Sequence, residues 1–333
     1  MGELHLHSSG LLMSEYPIFD SSRLNTRPLA ERQNRVSVDD FIPLPEAQPR
    51  EVAENRLPEI LGGLALKDFS RRIRLAGESG HTVIWMMGAH VIKVGCSPFV
   101  IDLVERGIIT CVATNGAGMI HDFEIALIGE TSEDVAENLQ KGDFGMWEET
   151  GAHLHEAGRQ AQEDGLGYGE GVGRYIDRLE LPNKESSILW RSWKAGVPVT
   201  IHSAIGTEII HQHPAMDGAL VGALTYRDFL IFTAHVANLN AGSAVLNVGS
   251  AVLMPEVFVK ALAMVRNAGH DAKGFHAANF DMYDHYRPRV NVVGRPTISG
   301  GTGNVFIGQH EFLLPVLYEL IIAEPAPVAV EDN

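Results

Sequence analysis

The sequence is short of cysteine, of basic charge and of long apolar runs, and each shortage excludes something. Cys96 and Cys111 are the only cysteines in 333 residues, too few for a disulfide framework. Both sit among apolar neighbours, so buried thiols in a reducing compartment are expected. No stretch reaches the ~20 apolar residues that span a bilayer. The N-terminus carries acids and no basic leader, so a secretory signal is not expected and the cytoplasm is the expected location. There are 26 Lys and Arg against 42 Asp and Glu, a net charge of −16. A field of that sign repels nucleic acid and anionic membranes and admits cationic small molecules. Neither G-x-G-x-x-G nor H-E-x-x-H occurs, so the usual dinucleotide fingerprint and the common zinc-hydrolase motif are both missing.

Apolar residues make up 45% and charged residues 20%, a composition that folds. Pro17, Pro28, Pro43, Pro45, Pro49 and Pro58 interrupt residues 1–58, which read as an extended N-terminal arm with little core, lying on its own subunit or a neighbour. Residues 59–326 read as one α/β domain and 327–333 as a disordered tail. Apolar β-branched runs at 81–90, 108–118, 198–203, 243–252 and 274–280 alternate with helical patterns at 64–75, 98–104, 186–196, 226–238 and 255–267. That alternation predicts a doubly wound, mostly parallel, Rossmann-like sheet covered on both faces. The glycines at 165–173 follow no phosphate-binding spacing and read as a flexible loop. His153 and His155 are expected on a helix surface. Residues 130–180 hold 13 acids and 4 bases, read as a solvated helical face.

In such a sheet, ligands bind beyond the carboxyl ends of the strands. Three of those ends carry small residues: Gly88-Ala89-His90, Thr114-Asn115-Gly116-Ala117-Gly118, and Gly249-Ser250. They are predicted to line one nucleotide crevice. The tract from 274 to 304 sets Asp281, Asp284, Arg287, Arg289 and Arg295 behind an apolar strand, where so many charges seldom serve packing alone. Glu208 and His211 lie three apart and could face one metal if that stretch is helical.

Four segments in order resemble the deoxyhypusine synthases. They are TNGAGMIHD (Thr114 to Asp122), SILWRSWKAGVPV (Ser187 to Val199), the stretch from Gly249 to Arg266-Asn267, and Phe280-Asp281-Met282-Tyr283-Asp284 followed by Arg287-Pro288. The resemblance implies an NAD-binding subunit of a homotetramer that oxidises a polyamine and passes on an aminoalkyl group through an imine on a lysine. It further implies Asp281, Asp284 and Glu208 as carboxylates for a polyamine or other small amine, and Thr114, Gly118 and Ala277 as cofactor positions. The chain departs from the family at four places. Val292-Val293-Gly294-Arg295 stands where the family has Ser-Trp-Gly-Lys, so a tryptophan becomes Val293 and the reactive lysine becomes Arg295. Ile120 and His121 replace paired glutamates, and Ala89-His90 replaces a Ser-Asn pair.

Two other readings stand beside the NAD-dependent aminoalkyl transferase. One is a nucleotide-binding protein without catalysis. The other is a metal-dependent hydrolase built on His202, His211 and His213. No residue is assigned to a metal, and a variant could borrow the amine of Lys93 or Lys260, although nothing in the sequence places either near the strand end of 274–280. Arginine stays protonated and forms no Schiff base. Incubation with NAD and labelled spermidine, followed by borohydride, is therefore expected to leave no label on the protein, and label on any lysine would restore the imine route.

Overall fold

The computed structural model describes Tyr16 and residues 18–324. Six parallel strands form the central sheet: β2 (Val83–Met87), β3 (Cys111–Asn115), β5 (Val199–His202), β6 (Ala244–Val248), β7 (His276–Asp281) and β8 (Gly303–Ile307). Their order is β5-β3-β2-β6-β7-β8. The chain winds outward from β2 through β3 to β5, then returns to β6 beside β2 and winds the other way. This is the doubly wound order of dinucleotide-binding sheets, and its switch point lies between β2 and β6.

Strand alternation sends Trp85, Val112 and Leu246 to one face and Ile84, Ala113 and Val245 to the other. The first face packs on helices Leu61–Glu78, Gly116–Ile128 and His310–Ile322. The second packs on Gly218–Val236 and Leu253–Asn267, through Phe232 and Phe258. Every residue of β2 and β6 is buried, as expected of strands covered on both faces. β8 was not anticipated. Its sequence GNVFI follows a glycine cluster and is only half covered, because it forms the edge of the sheet.

The arm differs from expectation in how much core it supplies. β1 (Asn34–Ser37) pairs antiparallel with β4 (Glu130–Glu133), setting Val36 opposite Thr131. Leu29 and Ala53 are buried, and Pro49 bridges to Glu324. Arg32 is buried too, and its guanidinium reaches both oxygens of Glu124 at 2.7 and 2.8 Å. Residues 18–58 thus lie on their own subunit, held by a two-stranded ladder and a buried ion pair. The tail 327–333 lies outside the described residues.

Two more expectations are corrected. Only part of the glycine run 165–173 is a loop: Gly165 and Gly167 lie in the turn before helix Tyr168–Arg178, whereas Gly169, Gly171 and Gly173 belong to the helix. A methyl group at Gly169 would overlap the carbonyl of Val199, and one at Gly171 would overlap Ala161. Packing against the β5 backbone and a neighbouring helix therefore overrides the low helix propensity of glycine. His155 is buried rather than exposed, with Nε2 2.9 Å from the carbonyl oxygen of Ile210. It sits on the inner stripe of helix Glu148–Glu163 with Gly151, Leu154 and Gly158. His153 is half-buried, with Nδ1 2.8 Å from the Tyr175 hydroxyl.

These glycines give opposite expectations in one experiment. Gly169→Ala should lower the unfolding free energy by about 1–3 kcal/mol through overpacking. Gly222→Ala, on helix Gly218–Val236 with open space around it, should raise it by roughly 0.5–1 kcal/mol. Denaturant titration reads both, and a neutral Gly169→Ala would contradict the close packing on β5.

Candidate functional site

The ends of β3, β2 and β6 are neighbours, because Met87 lies opposite both Thr114 and Val248. Gly88–His90, Thr114–Gly118 and Gly249–Ser250 consequently meet at one edge of the sheet. At the switch point the loops touch. Gly88 N donates to Val248 O at 2.9 Å and Gly249 N donates to Phe280 O at 2.9 Å. A Cβ on Gly88 would overlap the carbonyl of Gly249, and Gly249 has φ +66°, a left-handed conformation suited to glycine. Ser250 Oγ accepts from Met254 N at 3.2 Å and so serves the start of helix Leu253–Asn267.

Around this contact lie buried polar atoms without hydrogen-bond partners. Asp281, at the end of β7, accepts from Met282 N at 2.8 Å through Oδ1, while Oδ2 has none. His310 places Nε2 3.2 Å from Phe280 O, which makes that nitrogen the protonated one and leaves Nδ1 as a partnerless acceptor. The hydroxyl of Thr114 is buried and partnerless as well. His90 lies edge-on to His310, ring centroids 5.4 Å apart. Burial, with His310 beside it, holds His90 below the ordinary imidazole range.

Beside the end of β3 opens a cavity of about 190 Å³, lined by Arg32, Lys93, His121, Glu133 and Glu208 among others. Helix Gly116–Ile128 begins here. Asn115 caps it, its Oδ1 accepting from Gly118 N at 2.9 Å. The carboxylate of Glu208 rests on Gly116 so closely that a Cβ there would come 2.5 Å from it. A negative charge at a helix N-terminus is favourable. Glu208 Oε1 accepts from Ala204 N at 3.2 Å, and Oε2 lies 2.8 Å from His211 Nε2. His211 Nδ1 accepts from Gly206 N and Glu208 N, so Nε2 carries the proton. On the opposite wall, burial pushes His121 down to about 4. Its Nδ1 is 2.7 Å from the Thr131 hydroxyl, which donates to Glu124.

The structure does not bring every sequence candidate here. Asp284 lies just past β7, solvent-exposed and paired with Arg289. Ala277 is the second residue of β7, paired with Gly303 at the start of β8, and so lies towards the opposite edge. Arg295 is exposed about one turn beyond Asn291, its guanidinium on Asn291 Oδ1 at 3.1 Å. The physical reason is the crossover: the helical segment from Tyr286 to Thr297 carries the chain back across the sheet to the start of β8. His202, His211 and His213 do not converge. His202 Nε2 sits 3.0 Å from the Thr200 hydroxyl, and His213 Nδ1 accepts from Ala215 N at 3.1 Å. Among the described residues no three metal-ligating side chains gather. Sequence reasoning missed His310, although it closely follows the apolar strand NVFI, and it left Lys93 unplaced.

No family model and no curated protein matches the sequence. Among solved structures the chain is similar to ArgZ, a cyanobacterial arginine dihydrolase, with a TM-score of 0.49, 14% identity, and 79% of this chain covering 33% of that one. It is similar to AgrE in ternary complex with ornithine and NAD+, with a TM-score of 0.49, 13% identity, and coverages of 84% and 34%. A candidate deoxyhypusine synthase from Entamoeba histolytica matches with a TM-score of 0.41, 12% identity, and coverages of 72% and 74%. The chain spans about a third of the length of the first two. The likeness is one of fold, and it is partial. Among the described residues no helix is long and apolar enough to cross a membrane.

His121 makes stability depend on pH. The folded chain holds it neutral down to about 4, whereas the unfolded chain protonates it near 6.5. Its contribution is therefore complete above pH 6.5 and is lost as pH falls from there towards 4. Between pH 7 and 4 this costs on the order of 3 kcal/mol. Denaturant titrations across that range should show a shallower loss in His121→Gln than in the wild type, and parallel curves would disprove the assignment.

Proposed function

We propose that the chain binds NAD at the sheet edge where the Gly88 and Gly249 loops meet and acts on a small amine, transferring an aminoalkyl group without an imine at Arg295. The observation that carries this reading is the switch point between β2 and β6, where two glycine loops touch beside three partnerless buried groups. Asp281 Oδ2 suits a ribose hydroxyl, and Thr114 Oγ1 and His310 Nδ1 suit further sugar or carboxamide groups. A pyrophosphate has less choice, because Asn115 and Glu208 already occupy the start of helix Gly116–Ile128. NAD supplies a hydride acceptor when bound.

The chain's own groups then act on the amine. Glu208, backed by His211, suits an ammonium ion. His90 is kept neutral by burial and by His310, and so is suited to take a proton from the amine. The net charge of −16 favours a cationic substrate such as a polyamine. The assembly that accompanies this reading is a homotetramer.

Thermal melting with NAD, followed by NADH fluorescence with spermidine or putrescine, tests the reading. NAD should raise the midpoint in the wild type by mass action. Asp281→Asn should weaken NAD binding about tenfold, since hydrogen bonds to a charged acceptor contribute roughly 1.5–3 kcal/mol. No shift with NAD would sink the nucleotide reading, and a shift with Zn²⁺ alone would favour the hydrolase. NAD binding with no amine-dependent NADH would leave a nucleotide-binding protein without catalysis.

A further inference from the structure

The cavity beside the end of β3 has walls of both charges, and most of those charges are already satisfied. Both guanidinium arms of Arg32 lie on Glu124. Glu124 also accepts from the hydroxyls of Thr131 and Thr150. Glu133 accepts from Gly145 N at 3.0 Å and from Asn138 Nδ2 at 2.7 Å. His121 stays neutral against Thr131. Two charged groups keep unused capacity. The ammonium of Lys93, on a half-buried side chain at the end of the turn after β2, has neither hydrogen bond nor ion pair among the described residues, and the histidines near it, His90 and His121, are both held neutral. Glu208 is the other. Its side chain is only 2% exposed, and although Oε2 stands 2.8 Å from His211 Nε2, the two are not aligned as a hydrogen bond.

An unpaired ammonium ion facing a cavity attracts an anion, and a buried carboxylate with a free oxygen is costly unless a donor reaches it. One ligand can satisfy both only if it carries the complementary pair. We propose that this cavity binds a small amino acid as its zwitterion, with the ligand carboxylate on Lys93 and an ammonium group on Glu208. This deepens the amine reading above and rests on it. The substrate class becomes an amino acid in place of a simple polyamine, and the cation receiving its carboxylate is Lys93, which lines the cavity. A lysine held by a carboxylate stays protonated, which agrees with the expected absence of a trapped imine.

L-Ornithine and putrescine differ by one carboxylate, so their comparison isolates the role of Lys93. Isothermal titration of the full chain, with and without saturating NAD, should show ornithine binding about tenfold more tightly than putrescine or better, the factor that 1.4 kcal/mol makes. Lys93→Met should abolish that preference and Lys93→Arg should keep most of it. Glu208→Gln should weaken both ligands. Circular dichroism and melting confirm that each variant is folded, and the Lys93→Arg variant retains the charge in case Lys93→Met is damaged. Equal affinity for the two ligands in the wild type, or a preference that survives Lys93→Met, would overturn the proposal. Ornithine preference without NADH formation would leave the zwitterion site standing and remove the amine-oxidising reading. NADH formed from putrescine with no preference for ornithine would do the reverse.

Discussion

The buried pair between Arg32 and Glu124 is the interaction on which the candidate site depends. Removing two charges from water costs several kcal/mol per ion, and only close geometry with further hydrogen bonds offsets it. Here the contact is bidentate, and the hydroxyls of Thr131 and Thr150 complete the shell of Glu124. The pair fastens the arm to helix Gly116–Ile128, one turn from His121. It thereby closes one wall of the cavity and excludes the water that would otherwise keep His121 protonatable near neutrality. Without Arg32, Glu124 would be a buried charge without a counter-ion, although backbone bonds at Arg27, Ile42 and Arg50 would still hold the arm.

Sheet edge and cavity share one short element. Helix His90–Lys93 follows β2, and its two ends serve different places. His90 faces His310 and the switch point, while Lys93 lines the cavity with Glu208. A helical turn places residues three apart on neighbouring positions of one surface, so a group bound at that edge and a ligand in the cavity would be adjacent. The arrangement suits a reaction between two bound molecules better than it suits a single binding event.

The acidic surplus has two physical roles. Much of the charge between 130 and 180 is solvated, as the exposed pairs Lys141–Glu137 and Arg159–Glu156 illustrate, and such pairs contribute little to stability. Glu133 and Glu124 are different. They are buried, satisfied and structural, and neither was distinguishable by composition from its exposed neighbours. Asp228 is buried as well, with Oδ1 left without a partner. It accepts from Ile201 N at 2.7 Å and Gly169 N at 3.0 Å, closing the open side of edge strand β5, and burial raises it to about 7.

Periodicity was enough to establish the alternation of strands and helices, the parallel sheet, and the three small-residue strand ends at one edge, because these follow from local apolar patterns and right-handed crossovers. Asp281 was marked by the cluster of charges after its strand and Glu208 by its spacing from His211, and their shared role as amine carboxylates came from the family resemblance. That resemblance misplaced Ala277, since the edge a residue occupies depends on where its strand begins. Spacing read Gly169, Gly171 and Gly173 as a loop, because the close neighbours that favour glycine there come from distant segments. Lys93, His310, Arg32 and the depressed His121 became a site only in the fold: burial, partner atoms and unspent charge are properties of what packs around a residue, and a linear sequence does not record them.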